Sequence, residues 1–86
     1  MPSPEAQALL ADIAEHLAVA PDAIKPETSF VDDLNADSLD LVELGMLIEE
    51  RFDLEIPQEQ YGALRTLGDA MQYIRDRLGY DPFAES

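Results

Sequence analysis

Few residues in this chain have the makings of a chemical site, and Ser38 leads them. It stands in the run Asp37-Ser38-Leu39-Asp40, where a long Leu- and Glu-rich segment begins. A serine at a helix start usually caps the helix by accepting a backbone amide, and Asp37 competes for that duty. If Asp37 caps, Ser38 becomes the first helical residue and its hydroxyl turns to solvent, free to be modified. A phosphate ester there would meet the unpaired amides and the positive dipole end of the helix. Asp33, Asp37 and Asp40 oppose it by like charge, a conflict that a divalent ion brought by a modifying enzyme would relieve.

Other candidates for chemistry fall away on inspection. Asp33, Asn35 and Asp37 match the opening ligand positions of an EF-hand loop, but Ser38 stands where that loop needs glycine and Leu44 where it needs glutamate. No metal site is expected beyond weak surface binding. The single histidine, His16, is remote in sequence from Ser38, no G-x-S-x-G elbow is present, and His16 reads as a solvent-facing helix residue. The carboxylate pairs Asp32-Asp33 and Glu49-Glu50 read as solvated faces, because so short a chain lacks the walls of a substrate pocket. The expectation is a protein that is not itself an enzyme.

Composition narrows the partners. The 86 residues are 47% hydrophobic, with 19 acids against 5 bases and a formal charge of -14. That charge opposes a phosphate backbone at every approach, which argues against nucleic acid and for basic proteins. The apolar residues recur with a period, so one small folded core is expected, with thin stability. There is no cysteine, hence no disulfide, thiolate ligand or cysteine nucleophile, and any thiol chemistry needs an added group. The opening Met1-Pro2-Ser3-Pro4-Glu5 has no signal-peptide character and no stretch approaches a membrane span, so a cytoplasmic location is expected.

The elements that must position Ser38 are helical. Ser3-Pro4 reads as an N-cap and first helical residue of a helix over 6–19, with Leu9, Leu10, Ile13 and Leu17 on one stripe. A long connection follows to Asp37, with Ile24, Phe30, Val31 and Leu34 as apolar anchors that should pack it down. A second helix runs from Asp37 to about Phe52, opened by a capping box between Asp37 and Asp40. A short turn over Gln58–Leu64 and a third long helix from Thr66, closed by Gly79, complete an all-α, small four-helix bundle of three main helices plus one short one. Residues 1–79 form the domain and 80–86 read as a loose tail. A monomer is expected, with no third apolar face left for self-association.

The second helix carries two apolar faces, and only one can meet so small a core. Leu41, Leu44, Gly45, Ile48 and Phe52 cluster on one side; Leu39, Val42 and Met46 form a stripe on the other, among Glu43, Glu50 and Asp53. The longer stripe, free of acids, belongs inside. The shorter one is either covered by a neighbouring loop or left as an apolar patch ringed by carboxylates, and the adjoining acids favour a docking patch steered toward basic partners.

These residues resemble the acyl carrier proteins. The likeness rests on Asp37-Ser38-Leu39-Asp40, Val42-Glu43-Leu44, Met46 and the run Glu49-Glu50-Arg51-Phe52-Asp53-Leu54-Glu55-Ile56-Pro57, and it spans about Phe30 through Ile74. The resemblance implies that Ser38, flanked by Asp37 and Leu39, carries 4′-phosphopantetheine, whose terminal thiol holds acyl groups as thioesters and supplies the missing sulfur. It implies contact of Asp37, Leu39, Asp40, Val42, Glu43, Met46 and Glu50 with a phosphopantetheinyl transferase, a ketosynthase and other acyl-processing enzymes bearing basic patches. It also implies an acyl-lining interior of Leu44, Gly45, Ile48, Phe52, Ile56, Tyr61, Leu64 and Ile74.

Four features depart from the pattern of fatty-acid carriers: Arg51 where an acid is common, Gly45 for a bulkier residue, Tyr61 in the short helix, and Asn35-Ala36 where a glycine often precedes the motif. They point to a discrete carrier of a dedicated pathway, such as polyketide or modified fatty-acid synthesis. Glycine within a helix costs about 1 kcal/mol relative to alanine, so Gly45 should have a packing reason: a reshaped acyl cavity, or close approach by another helix. Two rival readings share these features. A peptidyl or D-alanyl carrier has the same fold and arm, and an acidic inhibitor or nucleic-acid mimic has the same charge without need of Ser38.

Overall fold

The computed structural model describes residues 2–84. The first helix, α1 (Pro4–Leu17), starts where expected: the Ser3 hydroxyl accepts the Ala6 amide at 3.1 Å, and Pro4 occupies a position where no amide partner is lost. Leu9 and Ile13 are fully buried, with Leu10 and Leu17 packed at the margin of the core. The helix stops short of Val19, because Ala18 turns left-handed at φ 58° and its amide closes back on the Ala14 and Glu15 carbonyls.

The connection to the next helix is packed down, as its apolar content requires. After a 3₁₀ turn at Pro21–Ala23, Ile24 and Phe30 are buried and Leu34 is half-buried against the core. Val31 does not anchor as expected; it is 45% exposed. Phe30 beside it takes the interior slot, and Ala36, not foreseen as a core residue, is buried instead. The backbone is tied across to the later link by Phe30 N–H to the Arg65 carbonyl at 3.0 Å and Gly68 N–H to the Pro26 carbonyl at 2.8 Å. Among the described residues the one extended pairing is an isolated antiparallel bridge between Ser29 and Thr66.

The central helix, α2 (Ser38–Phe52), packs against α1 and buries Leu44, Gly45 and Ile48. The short element is a 3₁₀ helix at Gln58–Ala63, and α3 (Leu67–Leu78) follows. Thr66 and Asp69 form a capping box at 3.0 and 3.2 Å, and Gly79 ends the helix at φ 81°, the conformation glycine adopts at least cost. Among the described residues the fold is thus all-α, three long helices and one short one around a core of Leu9, Ile13, Phe30, Leu44, Ile48 and Ile74. No helix among the described residues is long and apolar enough to cross a membrane.

The loose tail expected from residue 80 does not hold for its middle. Pro82 and Phe83 are buried, the Phe83 ring lies 6.1 Å from that of Phe52, and the Pro82 carbonyl accepts the Ser3 amide at 2.8 Å. The Phe83 ring thus packs beside Phe52 at the end of α2; residues 85–86 lie outside the described residues. Phe83→Ala should therefore lower the unfolding free energy by about 3 kcal/mol, the low end for a buried phenylalanine, in urea titrations. A tail that trails in solvent would leave the midpoint unmoved.

Candidate functional site

At the start of α2 the competition for the cap is settled by Asp37. Its carboxylate accepts the Asp40 amide at 2.9 Å, and Asp40 returns the bond by accepting the Asp37 amide at 3.0 Å. Ser38 is left as the first helical residue and is exposed. Asn35, two residues before the cap, sits at φ 59°. This is the left-handed region that glycine favours and asparagine tolerates, so Asn35 serves in place of a glycine there.

The two faces of α2 divide as the spacing implies. Leu39 is 65% and Met46 56% exposed, Val42 and Glu43 are half-buried, and Asp37 and Glu50 face solvent. Among the described residues no loop covers Leu39 or Met46. On the other side Leu44, Gly45, Ile48, Ile56, Leu64 and Ile74 are buried in one cluster, with Phe52 and Tyr61 half-buried beside it.

Gly45 meets a neighbour at close range. A Cβ built at Gly45 would lie 2.6 and 2.7 Å from ring carbons of Tyr61, so the ring occupies the place of a side chain at position 45. Close approach is thus what the glycine permits, and the approaching group comes from the short helix. The Tyr61 hydroxyl donates to Glu49 Oε1 at 2.8 Å, while Glu49 Oε2 accepts the Ile56 amide at 3.1 Å. The bond to Glu49, with burial second, raises the phenol above its ordinary value. Glu49 is therefore not part of a solvated face, unlike Glu50.

Two residues acquire roles their sequence positions do not announce. His16 of α1 places Nε2 3.0 Å from Asp40 Oδ1 and 2.7 Å from Glu43 Oε2, and Arg51 of α2 reaches Asp12 of α1 at 2.7 Å. Each pair joins residues far apart in the chain, so no periodicity marks it. His16, Asp40 and Glu43 are close enough together to surround a cation. The ring nitrogen hydrogen-bonds Asp40 and lies within ion-pair distance of Glu43. Asp40 is held below its ordinary carboxyl value by the Asp37 amide first, against some desolvation, and then by His16.

Fold and site together define a class: a small helical domain that displays an exposed hydroxyl at a helix tip beside an apolar face edged with acid. The family described as phosphopantetheine attachment site matches residues 7–74. Three proteins named acyl carrier protein align with most of the chain. That of Sulfurovum sp. is 52% identical over 64 residues, 74% of this chain and 85% of its own length. That of Phenylobacterium zucineum is 49% identical over 67 residues, covering 78% and 85%. That of Bdellovibrio bacteriovorus is 54% identical over 65 residues, covering 76% and 83%. The chain belongs to the phosphopantetheine-binding acyl carrier family, whose prosthetic group is covalent 4′-phosphopantetheine. The residues present fit such a group: an exposed primary hydroxyl, and first-turn amides that have no partner within the helix.

Two outcomes follow from this geometry. Gly45→Ala should destabilise the protein despite the gain of about 1 kcal/mol that alanine brings to a helix interior. In a Tyr61→Ala background the same change should stabilise it, a reversal that a double-mutant cycle in urea would read. For Asp40, a depressed carboxyl contributes stability that is present above its ordinary value of 3.8 and lost as pH falls through the folded value. The stability difference between the natural chain and Asp40→Asn should then shrink as the pH drops below about 5.

Proposed function

We propose that the chain is an acyl carrier in which Ser38 bears the phosphopantetheine as a phosphodiester. The observation that carries this is the division of labour at the tip of α2: Asp37 takes the cap, and the serine hydroxyl is left exposed at the positive end of a 15-residue helix. When bound, the arm supplies a terminal thiol that holds an acyl group as a thioester. The protein's own residues do the rest. First-turn amides would hold the phosphate, Leu39, Val42 and Met46 offer a modest apolar contact, and Asp37, Glu43 and Glu50 draw in basic enzymes through association rate more than affinity. A phosphopantetheinyl transferase and acyl-processing enzymes such as a ketosynthase are the partners such a face serves.

The acyl chain's refuge is the cluster of Leu44, Gly45, Ile48, Phe52, Ile56, Tyr61, Leu64 and Ile74. Tyr61 fills the space beside Gly45, so a chain entering there must move the ring. That exchange of bulk between positions 45 and 61, together with Arg51 engaged by Asp12, supports a carrier suited to a dedicated pathway. The names of the relatives favour acyl over aminoacyl cargo.

Intact-mass measurement after incubation with a phosphopantetheinyl transferase and coenzyme A should show one added arm on the natural chain and none on Ser38→Ala. An unaltered natural chain, or equal loading of the alanine variant, would reject the assignment.

A further inference from the structure

The imidazole of His16 crosses from α1 to the docking face of α2 and engages two acids there. Asp40 is committed through both oxygens: Oδ1 to His16 at 3.0 Å and Oδ2 to the Asp37 amide at 3.0 Å. Glu43 Oε2 lies 2.7 Å from the same ring nitrogen, at ion-pair distance. The side chains are 27%, 31% and 44% exposed for His16, Asp40 and Glu43, so an incoming cation can reach them but finds a donor already in place. Glu50, on the same helix, lines a groove with His16, Glu43, Met46 and Leu47. It is exposed and has no ion pair among the described residues.

We propose that His16 is a partner-discriminating residue: by holding Asp40 and Glu43 it acts as a built-in competitor that a basic partner must displace to dock beside Ser38. The inference rests on the carrier reading and deepens it. A partner that addresses Glu50 meets an acid with no ion pair among the described residues, although His16 and Arg51 line the clefts beside it. One that approaches Ser38 itself, as a transferase must, meets His16 on the two nearest acids past the cap. An exposed pair is worth only a fraction of a tenfold change in affinity, which suits tuning between partners that bind weakly and leave quickly.

The test uses the full chain with His16→Ala and His16→Arg, each first checked for helicity and thermal midpoint. The apparent KM of each apo chain is measured with a phosphopantetheinyl transferase and coenzyme A at low salt and at about 0.5 M salt, where exposed charges are screened. At low salt His16→Ala should lower KM about threefold and His16→Arg should raise it by a similar factor, both with kcat unchanged and both converging on the natural value at high salt. A KM for His16→Ala that equals the natural one at low salt, or exceeds it at either salt, overturns the proposal; the latter would make the ring an orderer of the helix tip or a direct contact. Intact mass separates the two readings. Loading of all three chains with no change in KM removes only the role of His16, whereas a natural chain that never loads takes down the carrier assignment and this inference with it.

Discussion

The reciprocal capping of Asp37 and Asp40 is the interaction on which the site depends. Had the Ser38 hydroxyl been needed to satisfy the Asp40 amide, the same backbone would present an oxygen committed to the cap instead of a free one. The carboxylate before it relieves the serine of that duty. The chain reaches this geometry through Asn35, whose left-handed backbone turns the connection into the cap, and through Ala36, whose burial pins the approach. A helix tip positioned this way is held by its own first turn and by the core beneath it, so the hydroxyl can be displayed without a pocket around it.

A second constraint acts along the rest of α2. A core this small has room for one face of the helix, and the choice falls on the face without acids because burying a carboxylate beside Val42 would cost far more than exposing Leu39 and Met46. Exposure of those two side chains is therefore a consequence of charge placement, and it gives the helix a surface on which a partner can gain apolar contact. Leu44, Gly45 and Ile48 meanwhile bind α2 to the rest of the fold, and Gly45 admits the Tyr61 ring to within contact of the backbone. The exposed apolar face and the packed one are thus opposite sides of one element, set by the same distribution of Glu and Leu.

Much of this was legible in the residue order, because it is governed by local rules. The caps at Ser3, Asp37 and Thr66, the stop at Gly79 and the two stripes of α2 depend on residues within a few positions of one another, and all are found. The short 3₁₀ helix was legible in place if not in type. What escaped was set by pairs distant in the chain: His16 with Asp40 and Glu43, Arg51 with Asp12, and Phe83 with Phe52. Periodicity carries no information about which exposed face of α1 will lie against which edge of α2. Val31 failed for a related reason, since adjacent apolar residues in a turn compete for one inward direction and the larger Phe30 prevails.

The acid excess has two populations, and separating them changes what the charge means. Asp33, Asp37, Asp40, Glu49, Asp69 and Asp81 each accept a backbone amide, at the Ser29, Asp40, Asp37, Ile56, Thr66 and Phe83 positions in turn. These carboxylates satisfy donors that helix starts and turns would otherwise leave to water, so part of the charge that composition counts as self-repulsion is structural. Glu50 and the outer oxygen of Glu43 belong to the other population, engaged by no amide and placed beside the apolar stripe. Few carboxylates are therefore left over beside the apolar stripe once the structural acids are set aside. A single neutral or cationic residue facing them, such as His16, is then enough to alter what a partner encounters at the tip of α2.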